Sequence, residues 1–257
     1  MTRNPDPGAP LPATATTTAP PLRLTGAQAL VNVLLAEGVD TVFGIVGGKL
    51  SPLFHALSRE PRIRFIGVRH EAAGPMMAAA VHAGTGRLAV AVGELGPGGL
   101  NLAAGLGVAF NNNLPLLAIT TNQHRAAAYP HTGVFMDLDT VAVTRPLTKW
   151  NAVVNDARRM PELARRAFRE ALGGRRAGAW TFRRTCWASA GSALKCDGSS
   201  SLPGATAPRK GHARRRRRWT RGGAAAARLA RRPLLVGGGG VVAAGAATAL
   251  RARSPTA

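Results

Sequence analysis

The sequence is poor in acids and in aromatic residues. Asp and Glu number 12 among 257 residues, against 34 Lys or Arg, and there are one Tyr, four Trp and seven Phe. The two cysteines, Cys186 and Cys196, have no metal-ligand spacing around them, so neither a disulfide framework nor a zinc site is expected. No long hydrophobic run is present: the longest weakly polar stretch, Leu234 to Leu250, is short for a membrane span and is mostly Gly and Ala. The first residues have neither a basic start nor an apolar core, so residues 1–21, rich in Pro, Ala and Thr, are expected to be a disordered tail rather than a signal peptide. These absences lead to the expectation of a soluble, cytoplasmic protein with no membrane partner.

The scarcity of acids is uneven. Residues 1–175 hold 17 Lys or Arg and 11 Asp or Glu, whereas residues 176–257 hold 17 and 1. The formal charge of +22 therefore describes mainly the second part of the chain. The arginine run Arg214–Arg218 would suit a nucleic-acid backbone electrostatically. Aromatic residues are not interleaved with it apart from Trp219, and no nucleic-acid partner is expected.

What is present in the first part is a regular alternation. Thr25 and Gln28 form a capping box before apolar residues at helical spacing (Leu30, Val31, Leu34, Leu35), with Gly38 as the stop. Short apolar runs at Thr41–Val46, Ile63–Val68, Leu88–Val92 and Leu114–Thr120 predict strands. Between them helices are predicted at about Ser51–Ser58, His70–Gly84 and Leu100–Phe110, and after a looser loop an amphipathic helix at Met160–Leu172. Arg158, Arg159, Arg165, Arg166 and Arg169 form the solvated face of that last helix. Strands with few polar residues, alternating with helices, imply an α/β fold: a parallel sheet covered by helices on both faces.

In such sheets ligands sit at the carboxyl ends of the strands. The turns Gly47-Gly48 and Gly96-Pro97-Gly98 fall there, and glycine turns let a ligand approach the backbone closely. Glu71 falls there too, as the one acid before a long run of small apolar residues. Composition alone makes it a first-turn acid favoured by the helix dipole. The alternative is a ligand-facing carboxylate in a partly desolvated cleft, with its proton available for chemistry.

Four stretches in order bring in a resemblance: "LTGAQALVNVLLAEGVDTVFGIVGG", "VRHEAAG", "GPGGLNLAAGLGVAFNNNLPLLAIT" and "DLDTVAVTRPLTKWN". From Leu24 to about Gly174 the chain resembles the pyrimidine-binding, flavodoxin-like domain of the thiamine-diphosphate enzymes, in the acetolactate synthase, benzaldehyde lyase and oxalyl-CoA decarboxylase group. The resemblance implies that Glu71 is the catalytic glutamate that hydrogen-bonds the pyrimidine nitrogen of thiamine diphosphate and sets its tautomer. It further implies that Val46, Gly47 and Gly48 line the pyrimidine, that Gly96, Pro97, Gly98 and Asn101 flank it, and that no residue here binds metal. Magnesium would come from a diphosphate-binding domain, whose Gly-Asp-Gly motif is not found in these residues. Substrates would be 2-keto acids or aldehydes, and the assembly a homodimer or homotetramer with sites between subunits. The chain departs from the acetolactate synthases at Val46 (usually Pro), at Glu94 (usually a small hydroxyl residue) and at Met136-Asp137 (in place of Gln-Glu). His124 and His131 lie in a loop that could reach the same site, but each reads as a solvated loop histidine.

Past the last helix the family continues with a strand like "GPVHLDIPxDV", whereas this chain reads "RRAGAWTFRRTCWASAG". One base earlier, the codons of Ala179–Trp187 can spell Leu-Asp-Leu-Pro-Ala-Asp-Val-Leu, with Asp forced by Trp180-Thr181 and Leu by Cys186-Trp187. Four regions are therefore expected. These are the tail at 1–21, the pyrimidine-binding domain at 22–174, a frame-shifted, disordered basic segment at 175–223, and a fragment of the family's central domain at 224–257. Two functions stay open. One is an incomplete 2-keto acid decarboxylase or carboligase, inactive alone. The other is a non-catalytic pyrimidine-domain subunit that completes its site with a separate diphosphate-domain partner.

Overall fold

The Thr25–Gln28 capping box opens the fold as the sequence predicts. Thr25 Oγ1 accepts the Gln28 N–H at 3.2 Å and Gln28 Oε1 accepts the Thr25 N–H at 2.9 Å. The computed structural model describes residues 24–124, 127, 130, 133–173, 178–183 and 248. All of these except Thr248 fall in one unit, Met1–Ala207. The expected tail at 1–21 and almost all of the segments at 175–223 and 224–257 lie outside the described residues.

The elements run α1 (Gly26–Ala36), β1 (Thr41–Gly44), α2 (Ser51–Ser58), β2 (Arg64–Gly67), α3 (Ala73–Thr85), β3 (Val90–Gly93), α4 (Pro97–Asn111) and β4 (Leu117–Asn122). They continue with α5 (Thr140–Thr144), a 3-10 turn (Arg145–Leu147), β5 (Trp150–Val154), a second 3-10 turn (Ala157–Arg159), α6 (Met160–Leu172) and β6 (Gly178–Arg183). All strand pairs are parallel, in the order β2-β1-β3-β4-β6-β5. The predicted α/β class, a parallel sheet with helices on both faces, is what forms.

Side chains alternate across the sheet, and size follows the face. Val42, Val90, Val92, Leu117 and Ile119 point into a core with α1, α2 and α6. Phe168 of α6 is fully buried there, a contribution of ~1.5–3 kcal/mol. The opposite face carries Phe43, Ala91 and Ala118 under Ala78 and Ala79 of α3 and Leu102 and Leu106 of α4. Small residues on both sides bring α3 close: a β-carbon on Gly74 would stand 3.4 Å from Ala91 Cβ. On the outer side of α6, Arg158 pairs with Asp156 at 2.6 Å and Arg159 with Glu162 at 3.1 Å, while the Arg166 guanidinium lies 5.3 Å over the Trp150 ring. Those arginines are tied locally, as a solvated face would be.

Three expectations are corrected. First, α3 starts at Ala73, not His70, so Glu71 lies in the preceding turn and is not a first-turn acid. His70 Nδ1 accepts the Ala72 N–H at 3.2 Å, a local bond that competes with the helix start. Second, α4 starts at Pro97 rather than Leu100, because proline suits the first helical position. Third, Gly178–Arg183 is a strand between β4 and β5, not part of a disordered segment. Parallel pairing reads main-chain N–H and C=O groups, which any run without proline supplies. Trp, Thr and Phe are also strong strand formers. The strand β5 went unpredicted because it is a half-buried edge strand with weak alternation.

The close helix contact yields a test. A β-carbon on Gly105 of α4 would collide with the Ala72 carbonyl and stand 3.0 Å from Pro75 Cβ, whereas Gly84 of α3 has open space around it. Gly105→Ala should destabilise by about 1–3 kcal/mol through overpacking. Gly84→Ala should stabilise by about 0.5–1 kcal/mol. Urea unfolding of the two variants checks the sign of each.

Candidate functional site

Strand order reverses between β1 and β3, the two neighbours at the centre of the early half of the sheet. Open parallel sheets form their ligand crevice at the carboxyl ends of such a pair, and the connections leaving β1, β2 and β3 meet there. The turn from β2 reaches this point although β2 is an edge strand. Val68 N–H donates to the Gly44 carbonyl at 2.9 Å, and Gly74 then sits over Phe43 and Ala91. Glu71 is carried with it.

Glu71 is 9% exposed. Asn101 Nδ2 of α4 donates to Glu71 Oε2 at 2.9 Å, and Glu71 Oε1 lies 3.2 Å from where a β-carbon of Gly98 would stand. A carboxyl group withdrawn from water and held on one oxygen by a neutral amide keeps acceptor capacity on the other. Its position relies on Gly98 having no side chain.

The two predicted glycine turns flank this carboxylate. Gly96 has φ +61, a left-handed conformation, and a β-carbon there would strike the Met136 carbonyl. Gly98 is buried between Glu71 and Glu94, whose Cβ would be 3.1 Å from an added β-carbon. In the loop after β1, Val46 is 65% exposed, Gly48 is exposed and Gly47 half-buried. A β-carbon on Gly47 would run into the Glu94 carboxylate. The structure thus brings Glu71, Gly98 and Asn101 together and joins Gly47 to Gly98 through Glu94, with Val46, Gly48, Gly96 and Pro97 next to them along the chain.

Two contributors were not singled out as site residues from the sequence. Glu94, noted there only as a departure, accepts the Lys49 N–H on Oε1 at 2.9 Å, and its Oε2 is buried without a partner among the described residues. Met136, at φ 63, brings its carbonyl against Gly96, and Gln123 Nε2 fixes the same loop by donating to the Phe135 carbonyl at 3.0 Å. An acid beside a Gly-Pro-Gly turn is a signal that sequence offers; a main-chain contact to Met136 is not. His124 is exposed in the loop after β4, and His131 lies outside the described residues. Among the described residues no three His, Cys, Asp or Glu side chains gather as a metal site, and no helix is long and apolar enough to cross a membrane.

Comparison with known proteins covers this same part of the chain. The family described as "Thiamine pyrophosphate enzyme, N-terminal TPP binding domain" matches residues 24–143. The acetolactate synthase large subunit of Parasynechococcus marenigrum (strain WH8102) is 36% identical over 158 residues, 60% of this chain and 25% of that protein. The acetolactate synthase isozyme 1 large subunit of Escherichia coli (strain K12) is 34% identical over 168 residues, 65% of this chain and 30% of that protein. The acetolactate synthase of Bacillus subtilis (strain 168) is 39% identical over 150 residues, 58% of this chain and 26% of that protein. The chain therefore spans between a quarter and a third of the length of these relatives. With fold and relatives in agreement, residues 24–143 are similar to the N-terminal TPP-binding domain of the thiamine pyrophosphate enzymes, in acetolactate synthase-like form.

Proposed function

We propose that this domain holds the aminopyrimidine half of thiamine diphosphate in the crevice between β1 and β3, as one half of the active site of a 2-keto acid decarboxylase or carboligase. The observation that carries the reading is the buried Glu71 carboxyl, held by Asn101 where the strand order reverses. The residues present fit the group. A flat ring needs close backbone on its faces and one acid on a ring nitrogen, and the glycine turns and Glu71 supply these. When bound, the cofactor supplies the nucleophilic carbon that attacks the carbonyl of a keto acid or aldehyde.

The chain's own residues do the rest. The Glu71 carboxyl is placed to share a hydrogen bond with a ring nitrogen in a spot mostly withdrawn from water. Asn101 fixes the carboxyl's direction, so that reorientation is not needed when the ring arrives. Gly48 has open space around it where the ring can approach the backbone, while Val46 and Pro97 offer apolar edges. Diphosphate and magnesium belong to a second, diphosphate-binding domain, supplied by another part of the enzyme or by a partner subunit.

A partner subunit is supported by the outer face of the domain. The helices α3 and α4 carry no Asp, Glu, Lys or Arg, and Met76, Met77, Leu100 and Val108 are exposed on them. Such a face loses less by being covered than by facing water.

Three outcomes follow. In the enzyme with the frame restored between Gly174 and Gly223, Glu71→Gln should lower kcat about 10²–10⁴-fold, with the melting temperature unchanged because Gln can still accept from Asn101. Wild-type turnover would overturn the assignment. The chain alone should bind thiamine diphosphate at best weakly and consume no pyruvate, since one charged hydrogen bond contributes only ~1.5–3 kcal/mol; micromolar, magnesium-dependent binding by calorimetry would contradict it. Val108→Asp together with Leu100→Asp should reduce the self-association of the chain in sedimentation runs, by placing charge on the apolar face.

A further inference from the structure

The crevice holds a second carboxylate that the proposed chemistry does not use. Glu94 leaves β3 at its carboxyl end and turns toward the loop that follows β1. Oε1 takes the Lys49 N–H at 2.9 Å, across 45 residues of sequence. Oε2 is buried against the Cα of Gly47, where a β-carbon would overlap it, and finds no donor among the described residues. Its Cβ meanwhile abuts Gly98. One side chain therefore touches both glycine turns of the crevice. A buried carboxylate oxygen with no donor is uncommon in folded proteins and calls for a reason.

We propose that Glu94 is a positioning residue. It draws the loop Val46–Lys49 down onto the turn after β3 and so sets the wall that Val46, Gly47 and Gly48 present to a planar nitrogen heterocycle. The role rests on the pyrimidine reading above for its ligand, but not for its geometry. Gly47 is then required because the carboxylate occupies the space of its side chain. A small hydroxyl residue at position 94 would be too short to span to Lys49, so the wall depends on the length of this side chain.

The test uses the chain itself, with thiamine as the probe. Amide hydrogen exchange at Lys49, followed by NMR, reads the hydrogen bond without any ligand. Glu94→Thr should speed that exchange about tenfold or more, the loss expected for a hydrogen bond to a charged group. Glu94→Gln should restore most of the protection, because its amide oxygen can still accept. Gly47→Ala should give the same acceleration by displacing the carboxylate, and the double variant Gly47→Ala/Glu94→Thr should add nothing further. Thiamine titrated into wild type should shift the Gly47 and Gly48 amides, with weaker affinity in Glu94→Thr and near-normal affinity in Glu94→Gln. Unchanged Lys49 exchange in Glu94→Thr overturns the role, and so does equal thiamine affinity in that variant when wild type responds. A wild type that does not respond to thiamine at all overturns the pyrimidine reading and, with it, Glu94 as a wall for that ligand.

Discussion

The carboxyl edge of the sheet depends on one close approach, that of α4 to the turn that begins α3. Gly105 lets the Ala72 carbonyl and Pro75 come against the α4 backbone, and only at that separation does Asn101 reach Glu71. The approach is possible because small residues face each other at every level: Ala91 and Ala118 on the sheet, Gly74 and Ala78 on α3, Gly105 on α4. Larger side chains on any of these would lift a helix and withdraw the carboxylate from its partner. Dispersion and steric exclusion, rather than charge, thus place the one acid of this turn.

The two faces of the sheet are built differently for the same reason. On the side of α1, α2 and α6 the strands offer Val, Leu and Ile, and the helices stand off at the distance such side chains need. That side is closed by an amphipathic helix whose arginines engage their own neighbours. On the side of α3 and α4 tight packing leaves the helices nearly featureless, with apolar side chains outward and no charge. Closeness to the sheet and a bare outer surface are two results of one small-residue composition.

Much of this was legible in the chain. Four strands and the alternation that makes them parallel stood out, because buried strands and cap residues carry local signals such as Thr25-Gln28 and Gly38. The candidate crevice was legible for the same reason, since glycine turns and a solitary Glu71 are local features. What local signals could not supply were β5 and β6. A half-buried edge strand has little pattern, and β6 takes its place through main-chain pairing to β4 and β5 that no side chain announces. The start of α3 was misplaced because a histidine side chain competes for the Ala72 N–H, a contest decided by geometry.

By itself the sequence determined the alternation of elements, the class of the sheet, the position of its turns and which residue types stand in them. These follow from periodicity and backbone preference, which act over a few residues. Tertiary structure alone decided that Asn101 would hold Glu71 across 30 residues, that Glu94 would sit beneath Gly47 and accept from Lys49, and that the Met136 carbonyl would close on Gly96. Such contacts depend on the distance between packed helices and on where parallel strands change direction. Those quantities arise when the two faces of the sheet are packed together, and no stretch of chain contains them.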